Sequence, residues 1–160
     1  MGIGQTGSGK TLAFLLPALQ HIAAARADSR PGGGPRALVL APTRELAKQI
    51  EEVARGYRRI AQVGTALYSC SVDNVRQVKT VCCIGGEGRN HQIAQYDAGA
   101  ELMIATPGRI NDFLEAGDMV LSQCGFVVLD EADRMLDMGK IQIAIALQVS
   151  LLFNCYNKSK

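Results

Sequence analysis

The sequence predicts an α/β fold in which a mostly parallel β-sheet is flanked by helices. Short apolar runs, typical of parallel strands that are covered on both faces, alternate with longer segments of helical periodicity. Polar segments that contain Gly, Thr or Asp follow the apolar runs directly. In folds of this class, ligands bind at the carboxyl ends of the strands, so these segments are the first candidates for a functional site.

Length and composition fit one globular domain. The chain has 160 residues, 48% hydrophobic and 20% charged, and its formal net charge is +2. Because this charge is small, no overall field favours nucleic acid or membrane, and any anion binding must be local. The sequence shows neither a basic leader peptide nor a run of about 18 apolar residues. We therefore expect an intracellular protein, in the nucleus or the cytoplasm, without a membrane partner.

The cysteines and histidines indicate no metal site or disulfide framework. The 5 cysteines are odd in number and show no C-x-x-C spacing, which favours a reducing compartment. Cys82 and Cys83 lie in an apolar run and are interpreted as buried structural thiols, because adjacent residues of a strand point to opposite faces. His21 and His91 have no Cys or acidic partner at ligand spacing, so we assign neither a metal.

A phosphate loop is the first motif with chemical meaning. The segment GQTGSGKT from Gly4 to Thr11 fits the pattern G-x-x-x-x-G-K-T, in which backbone N–H groups curl around phosphates at the positive end of a helix. Lys10 would reach the β- and γ-phosphates, and the Thr11 hydroxyl would ligate Mg²⁺. The alternative is a glycine turn before a core helix. The predicted nucleotide-binding residues are Gly4, Gln5, Thr6, Gly7, Ser8, Gly9, Lys10 and Thr11.

The phosphate loop is followed by a predicted helix and preceded by only three residues of the sequence. Residues 11–25 (TLAFLLPALQHIAAA) predict a largely buried helix that contains Pro17, and residues 28–35 (DSRPGGGP) predict an exposed loop. A phosphate loop normally follows a buried strand, and residues 1–3 are too few to form one. We therefore expect the first strand of the sheet to be missing.

The next segments predict a strand, a helix and a second strand. Residues 37–40 (ALVL) form a short apolar run, and Thr43 is placed to cap a helix whose apolar residues share one face. Residues 60–78 have a weak pattern and are interpreted as a loop or insertion. Residues 80–84 (TVCCI) predict a strand that ends at a glycine pair.

Two further strand predictions complete the series. A helix is predicted over residues 90–97, followed by a strand over residues 102–105 (LMIA). Thr106 is placed to cap the next helix, with Pro107 at its first position and its end near residue 116. Residues 126–129 (FVVL) predict the last strand, which leads directly into an acidic cluster.

The acidic cluster LDEAD is the second motif with chemical meaning. A carboxylate at a strand end near a phosphate loop can hold Mg²⁺ through its water shell, a role that Asp130 fits together with Thr11. The neighbouring Glu131 can orient or deprotonate the attacking water. The alternative is a solvated acidic turn. The predicted catalytic residues are Lys10, Asp130 and Glu131.

Polar groups at other strand ends predict a phosphate-binding surface. Thr43 and Thr106 begin predicted helices, whose free N–H groups and dipole favour phosphate oxygens, and Arg44 and Arg109 lie in or beside the first turns. Such groups contact the backbone of a nucleic acid and not its bases. Each also fits a structural cap with a surface arginine, and the glycine pair at residues 85–86 also fits a tight turn.

Taken in order, the motifs resemble one family. GQTGSGKT, PTRELA, the glycine pair, TPGR and DEADRMLDMG occur in the order found in the DEAD-box ATP-dependent RNA helicases, and residues 2–139 are similar to their first RecA-like domain. The resemblance implies a RecA-like P-loop NTPase fold, with ATP and Mg²⁺ as cofactors. It implies a track for the RNA backbone, without base specificity, at Thr43, Arg44, Gly86, Thr106, Gly108 and Arg109. It also implies that Asp133 relays the state of the nucleotide to other motifs.

The resemblance suggests a division of the chain and a function. Residues 1–139 are predicted to form a partial N-terminal RecA-like ATP-binding domain, and residues 140–160 an apolar, helical tail outside the family pattern. A second RecA-like domain would be the normal partner. The predicted function is ATP-dependent RNA helicase activity, to which the isolated chain would contribute binding without turnover. The alternatives are an inactive ATP- and RNA-binding module and an incomplete gene product.

Overall fold

The computed structural model describes residues 9–25, 33–57 and 77–137. The predictions for Gly4–Ser8 of the phosphate loop, for residues 60–76 of the loop or insertion predicted over 60–78, and for the tail at 140–160 lie outside the described residues. Within those residues, no helix is both long and apolar enough to cross a membrane.

The described strands form one parallel sheet, as predicted. The strands are β1 (Ala37–Leu40), β2 (Thr80–Cys83), β3 (Leu102–Ala105) and β4 (Phe126–Leu129). Their order in the 4-stranded sheet is β2-β3-β1-β4, and every pairing is parallel. Leu40 pairs with both Ala105 and Leu129, and Ala105 pairs with Cys83. The carboxyl ends of the strands are therefore level, and the loops that follow them share one edge of the sheet.

The helices whose limits were predicted begin and end within one residue of the predicted positions. They are α1 (Lys10–Ala24), α2 (Arg44–Tyr57), α3 (Arg89–Asp97), α4 (Pro107–Glu115) and α5 (Ala132–Asp137). Helix α1 continues through Pro17. Strand β2 ends at Cys83, one residue earlier than predicted, and Ile84 leads from the strand into the turn at residues 85–86.

Two hydrophobic clusters cover the two faces of the sheet. Alternate residues of β1 point to opposite faces, so Val39 joins one cluster and Leu38 and Leu40 join the other. Helices α1 and α2 supply the first cluster with Leu15, Leu19, Ile22 and Ile50. Helices α4 and α5 supply the second with Ile110, Phe113 and Met135. Because β1 and β3 are covered on both faces, they consist of apolar residues throughout.

Candidate functional site

The described end of the phosphate loop begins helix α1 at the carboxyl edge of the sheet. Gly9 is the N-cap, with φ of 76° in the left-handed region, where a residue with a Cβ would be strained. No side chain caps this end among the described residues. The first turn, which contains Lys10 and Thr11, thus presents the positive end of a helix of 15 residues, a favourable site for an anion.

The carboxylate of Asp130 lies beside this helix end. The backbone N–H of Asp130 donates to the carbonyl of Leu40 over 2.9 Å, which fixes Asp130 directly after β4. Burial raises the pKa of Asp130, the hydrogen bond from the Glu131 N–H lowers it, the Glu131 charge raises it and the Lys10 charge lowers it, with a net upward shift. The structure therefore brings together Lys10 and Asp130, two residues far apart in sequence that were predicted to share a site.

Glu131 has an unusual backbone conformation. Its φ is 50°, which places it in the left-handed region that few residues other than Gly adopt. Its carboxylate accepts a hydrogen bond of 2.9 Å from Nη1 of Arg134. Asp133, the residue implied to couple the motifs, is exposed in the first turn of α5.

The donor set at this end of the sheet fits a magnesium ion that is bound together with phosphate. The described residues contain no group of three or more His, Cys, Asp or Glu side chains that could hold a metal by themselves. Mg²⁺ usually keeps several waters and is bound through one or two carboxylates plus substrate phosphates. Asp130 and the hydroxyl of Thr11 provide that limited set, since both lie where α1 begins and β4 ends.

An open pocket of about 470 Å³ lies at the same edge of the sheet. It is lined by Pro42, Thr43, Arg44, Glu45, Gly85, Thr106, Gly108, Arg109 and Asp112. These residues come from the segments after β1, β2 and β3. Most of the predicted RNA-contacting residues are thus brought together by the fold. The acidic Glu45 and Asp112 were not among the predicted residues, and only their position in the first two turns of the helices after β1 and β3 could have suggested them.

The two predicted threonine caps differ. The hydroxyl oxygen of Thr43 accepts a hydrogen bond of 3.2 Å from the N–H of Leu46, which confirms a capped start for α2. Thr106 occupies the N-cap position of α4 with Pro107 after it, as predicted, but its side chain makes no cap hydrogen bond. The expected capping by its hydroxyl is therefore wrong. The backbone N–H of Thr106 instead donates to the carbonyl of Cys83 over 3.0 Å and holds the residue in line with the sheet.

The glycine pair forms a turn beneath the guanidinium of Arg44. Gly86 has φ of 83°, and a Cβ at this position would lie 2.5 Å from Nη1 of Arg44. Next to the turn, the carboxylate of Glu87 forms an ion pair of 2.8 Å with Nζ of Lys48 on α2. This hydrogen bond and the Glu87 charge raise the pKa of Lys48. The turn therefore packs against the first part of α2 through both its backbone and Glu87.

Cys82 and Cys83 are buried free thiols in β2. Burial is the main cause that raises the pKa of each to about 12. Thiols of this kind carry almost no thiolate near neutral pH. Their environment agrees with the structural role expected from the sequence.

The sequence model of the DEAD/DEAH box helicase family matches residues 1–156. The chain belongs to this family. The probable ATP-dependent RNA helicase DDX17 of Mus musculus is 50% identical over 143 residues, a match that covers 87% of this chain and 19% of DDX17. The chain thus spans less than a fifth of the length of that relative.

Solved structures of DEAD-box proteins share the fold of this DEAD-box domain. The crystal structure of the yeast splicing factor Prp28 matches with a TM-score of 0.73 and 35% identity, over 96% of this chain and 32% of Prp28. The structure of Prp28 from Chaetomium thermophilum bound to ADP matches with a TM-score of 0.67 and 40% identity, over 89% of this chain and 31% of that one. The RecA-like fold expected from the sequence is confirmed.

Proposed function

We propose that this DEAD-box chain supplies the first RecA-like domain of an ATP-dependent RNA helicase and binds both ATP and the RNA backbone. One observation carries the proposal. The carboxyl ends of the parallel strands are level. The residues after β4 that are predicted to bind the nucleotide and the pocket after β1, β2 and β3 therefore lie along the same edge of the sheet. A single domain can then respond to both ligands.

The nucleotide half of the site is formed by α1 and the end of β4. Lys10 would contact the β- and γ-phosphates, and the free N-terminus of α1 would stabilise their charge. Thr11 and Asp130 would hold Mg²⁺, partly through water, and the ion supplies charge neutralisation of the phosphates when bound. Glu131 would orient the attacking water. The whole binding set is Gly4, Gln5, Thr6, Gly7, Ser8, Gly9, Lys10 and Thr11.

The RNA half of the site is the pocket with its adjoining glycine turn. Helix N-termini and an arginine are groups that contact phosphate and sugar, so the pocket favours RNA without regard to base sequence. The proposed contacts are Thr43, Arg44, Gly86, Thr106, Gly108 and Arg109. Asp133 would connect the nucleotide state to the rest of the domain. A second RecA-like domain would complete both halves, and we place the protein in the nucleus or cytoplasm, where its RNA substrates occur.

ATP binding can be tested by titration calorimetry on the full chain in the presence of Mg²⁺. Lys10→Ala should lose measurable binding, because its point charge on the phosphates is removed. Lys79→Ala is the matched control, since Nζ of Lys79 donates to the carbonyl of Ala98 near the opposite edge of the sheet. Equal affinity of Lys10→Ala and the wild type would refute the proposed nucleotide site.

RNA binding can be tested by fluorescence anisotropy with single-stranded oligonucleotides of uniform sequence. We expect similar affinities for oligo(U) and oligo(A), and an affinity that falls steeply with salt, because the contacts are to phosphates. A strong preference for one base would contradict a backbone site. Absence of binding by a folded wild-type chain would contradict the RNA half altogether.

One observation favours a second candidate, in which the chain binds ATP and RNA without turnover. The carboxylate of Glu131, assigned to the attacking water, is held by Arg134 over 2.9 Å. Phosphate release by the chain alone should then be undetectable and should appear only when a second RecA-like domain is joined to it. RNA-stimulated hydrolysis by the chain alone, lost in Glu131→Gln, would rule this candidate out.

A further inference from the structure

The guanidinium of Arg109 forms hydrogen bonds within the protein. Its Nε donates to the carbonyl of Ile84 over 3.1 Å and to Oε1 of Gln92 over 3.2 Å, and its Nη2 donates to the carbonyl of Glu87 over 2.6 Å. Its carbon Cζ lies 5.2 Å from the centre of the Phe113 ring. These contacts point the guanidinium at the backbone on either side of the glycine pair, and they use its Nε–H and one N–H of Nη2.

Gln92, on helix α3, forms hydrogen bonds with both Arg109 and Ile84. Its side chain is 1% exposed, and its Nε2 donates to the carbonyl of Ile84 over 2.9 Å while its Oε1 accepts from Arg109. The carbonyl of Ile84 thus receives two hydrogen bonds, one from each side chain. A buried amide with both ends satisfied is rigid and costly to disrupt. Gln92 on α3 and Arg109 on α4 therefore both hold the start of the glycine turn through hydrogen bonds to Ile84.

Arg44 differs from Arg109 although both line the same pocket. Arg44 is exposed, and its side chain makes no hydrogen bond or ion pair with the residues that the structure describes; its guanidinium lies against Gly86. Its donors remain available for an incoming phosphate. The two arginines thus differ in their surroundings: the Arg109 guanidinium is oriented by hydrogen bonds to Ile84, Glu87 and Gln92, and the Arg44 guanidinium is not.

We propose that Gln92 and Arg109 are positioning residues that hold the glycine turn in shape, and that Arg44 supplies the arginine charge that contacts the RNA phosphate. This rests on the proposed RNA site and refines it, because Arg109 then supports the site without contacting a phosphate itself. The position of the turn matters because Gly86 lies directly beneath the guanidinium of Arg44. A loose turn would let Arg44 move away from the position at which a phosphate meets the open N-terminus of α4.

The first experiment needs no RNA and measures ¹⁵N order parameters of Gly86, Glu87 and Gly88. Gln92→Leu and Arg109→Ala should lower these values from about 0.85, as in rigid backbone, to below about 0.6. The matched controls are Gln95→Leu, on the same helix, and Arg55→Ala, on α2 outside the pocket. Unchanged order parameters in both Gln92→Leu and Arg109→Ala would overturn the proposal. Where Gln92→Leu does not fold, Gln92→Glu is used, because it keeps the acceptor for Arg109 and loses only the donor to Ile84.

The second experiment measures the affinity of the same variants for a single-stranded oligo(U) at several salt concentrations. Arg44→Ala should lower the slope of log K against log salt by about 0.7, the value for one phosphate contact on a single strand. Arg109→Ala and Gln92→Leu should weaken binding by about tenfold, with the slope unchanged, because they lose order and not a phosphate contact. Their double variant should be no weaker than either single one.

The two experiments separate this proposal from the proposed function. A slope that falls as much in Arg109→Ala as in Arg44→Ala would show a direct phosphate contact by Arg109 and overturn the positioning role. A folded wild-type chain without affinity for RNA would refute the RNA site and with it the assignment of Arg44. The order parameters would still decide whether Gln92 and Arg109 hold the turn.

Discussion

Arg36 and Glu101 form a buried ion pair at the amino ends of β1 and β3. Nη1 of Arg36 lies 2.9 Å from Oε1 of Glu101, and the two side chains are only 9% and 5% exposed. The backbone N–H of Arg36 also donates to the carbonyl of Glu101 over 2.9 Å. The pair therefore closes the edge of the sheet opposite to the candidate site, where it can affect stability without contacting a ligand.

Removal of one partner of this pair should destabilise the fold strongly. Arg36→Met would remove the Arg36 side of this buried ion pair and should lower the free energy of unfolding by about 3–5 kcal/mol. The double variant Arg36→Met/Glu101→Leu should recover a large part of this loss, because both charges of the pair are then removed together. Urea denaturation followed by circular dichroism measures both. A double variant as unstable as Arg36→Met would contradict this explanation.

The two threonine caps should differ in their effect on stability. Thr43→Ala removes the hydrogen bond to the Leu46 N–H and should cost about 1 kcal/mol. Thr106→Ala is the matched control at the start of α4, where no side-chain cap bond exists, and should cost less than about 0.5 kcal/mol. Thermal unfolding without RNA measures the difference. Equal losses would show that the Thr43 cap bond contributes nothing.

The pH dependence of stability should show the raised pKa of Asp130. Because burial raises its folded-state pKa, the fold favours the protonated carboxyl. Its contribution to stability is then full below the unfolded-state pKa and is lost as the pH rises through the folded-state pKa. Asp130→Asn mimics the protonated form and should become more stable relative to the wild type as the pH rises from 4 to about 7. Asp137→Asn, exposed on α5, is the control. Parallel pH profiles for Asp130→Asn and the wild type would disprove the assignment.

Protonation of the Asp130 carboxyl, which favours the fold, should weaken the binding of Mg·ATP. Mg²⁺ requires the ionised carboxylate, so Mg·ATP binding should weaken on acidification at a higher pH than an ordinary Asp, with a pKa of about 3.9, would cause. Titration calorimetry across this range, with Asp130→Asn for comparison, measures the effect. Persistence of the same acid dependence in Asp130→Asn would assign it to another group.

Alkylation should test the buried thiols. With pKa values raised to about 12, Cys82 and Cys83 should react with iodoacetamide at pH 8 on the order of a thousandfold more slowly in the folded chain than in urea. Peptide mass spectrometry resolves the labelled positions. Labelling of Cys82 in the folded chain at the denatured rate would mean that β2 opens readily or that this thiol is accessible.

Much of the fold could be predicted because its signals are local. The apolar runs at 37–40, 102–105 and 126–129 became strands with the predicted limits, since parallel strands covered on both faces require continuous apolar sequence. The polar residues after these strands were predicted to share an edge, and the level strand ends confirm it for the described residues. Thr106 was placed correctly at the start of its helix, but its hydroxyl makes no cap hydrogen bond.

The sequence by itself determined the order of the motifs, the alternation of strands and helices, and the chemical types available for phosphate and Mg²⁺. Those properties depend on neighbouring residues or on helical and strand periodicity. Only the tertiary structure decided how the two pocket arginines are used, because Gln92 and Arg109 are 17 residues apart and Arg109 and Ile84 are 25 residues apart. Hydrogen bonds over such separations exist only once β2, α3 and α4 are packed, and that packing engages one arginine and leaves the other open to a ligand.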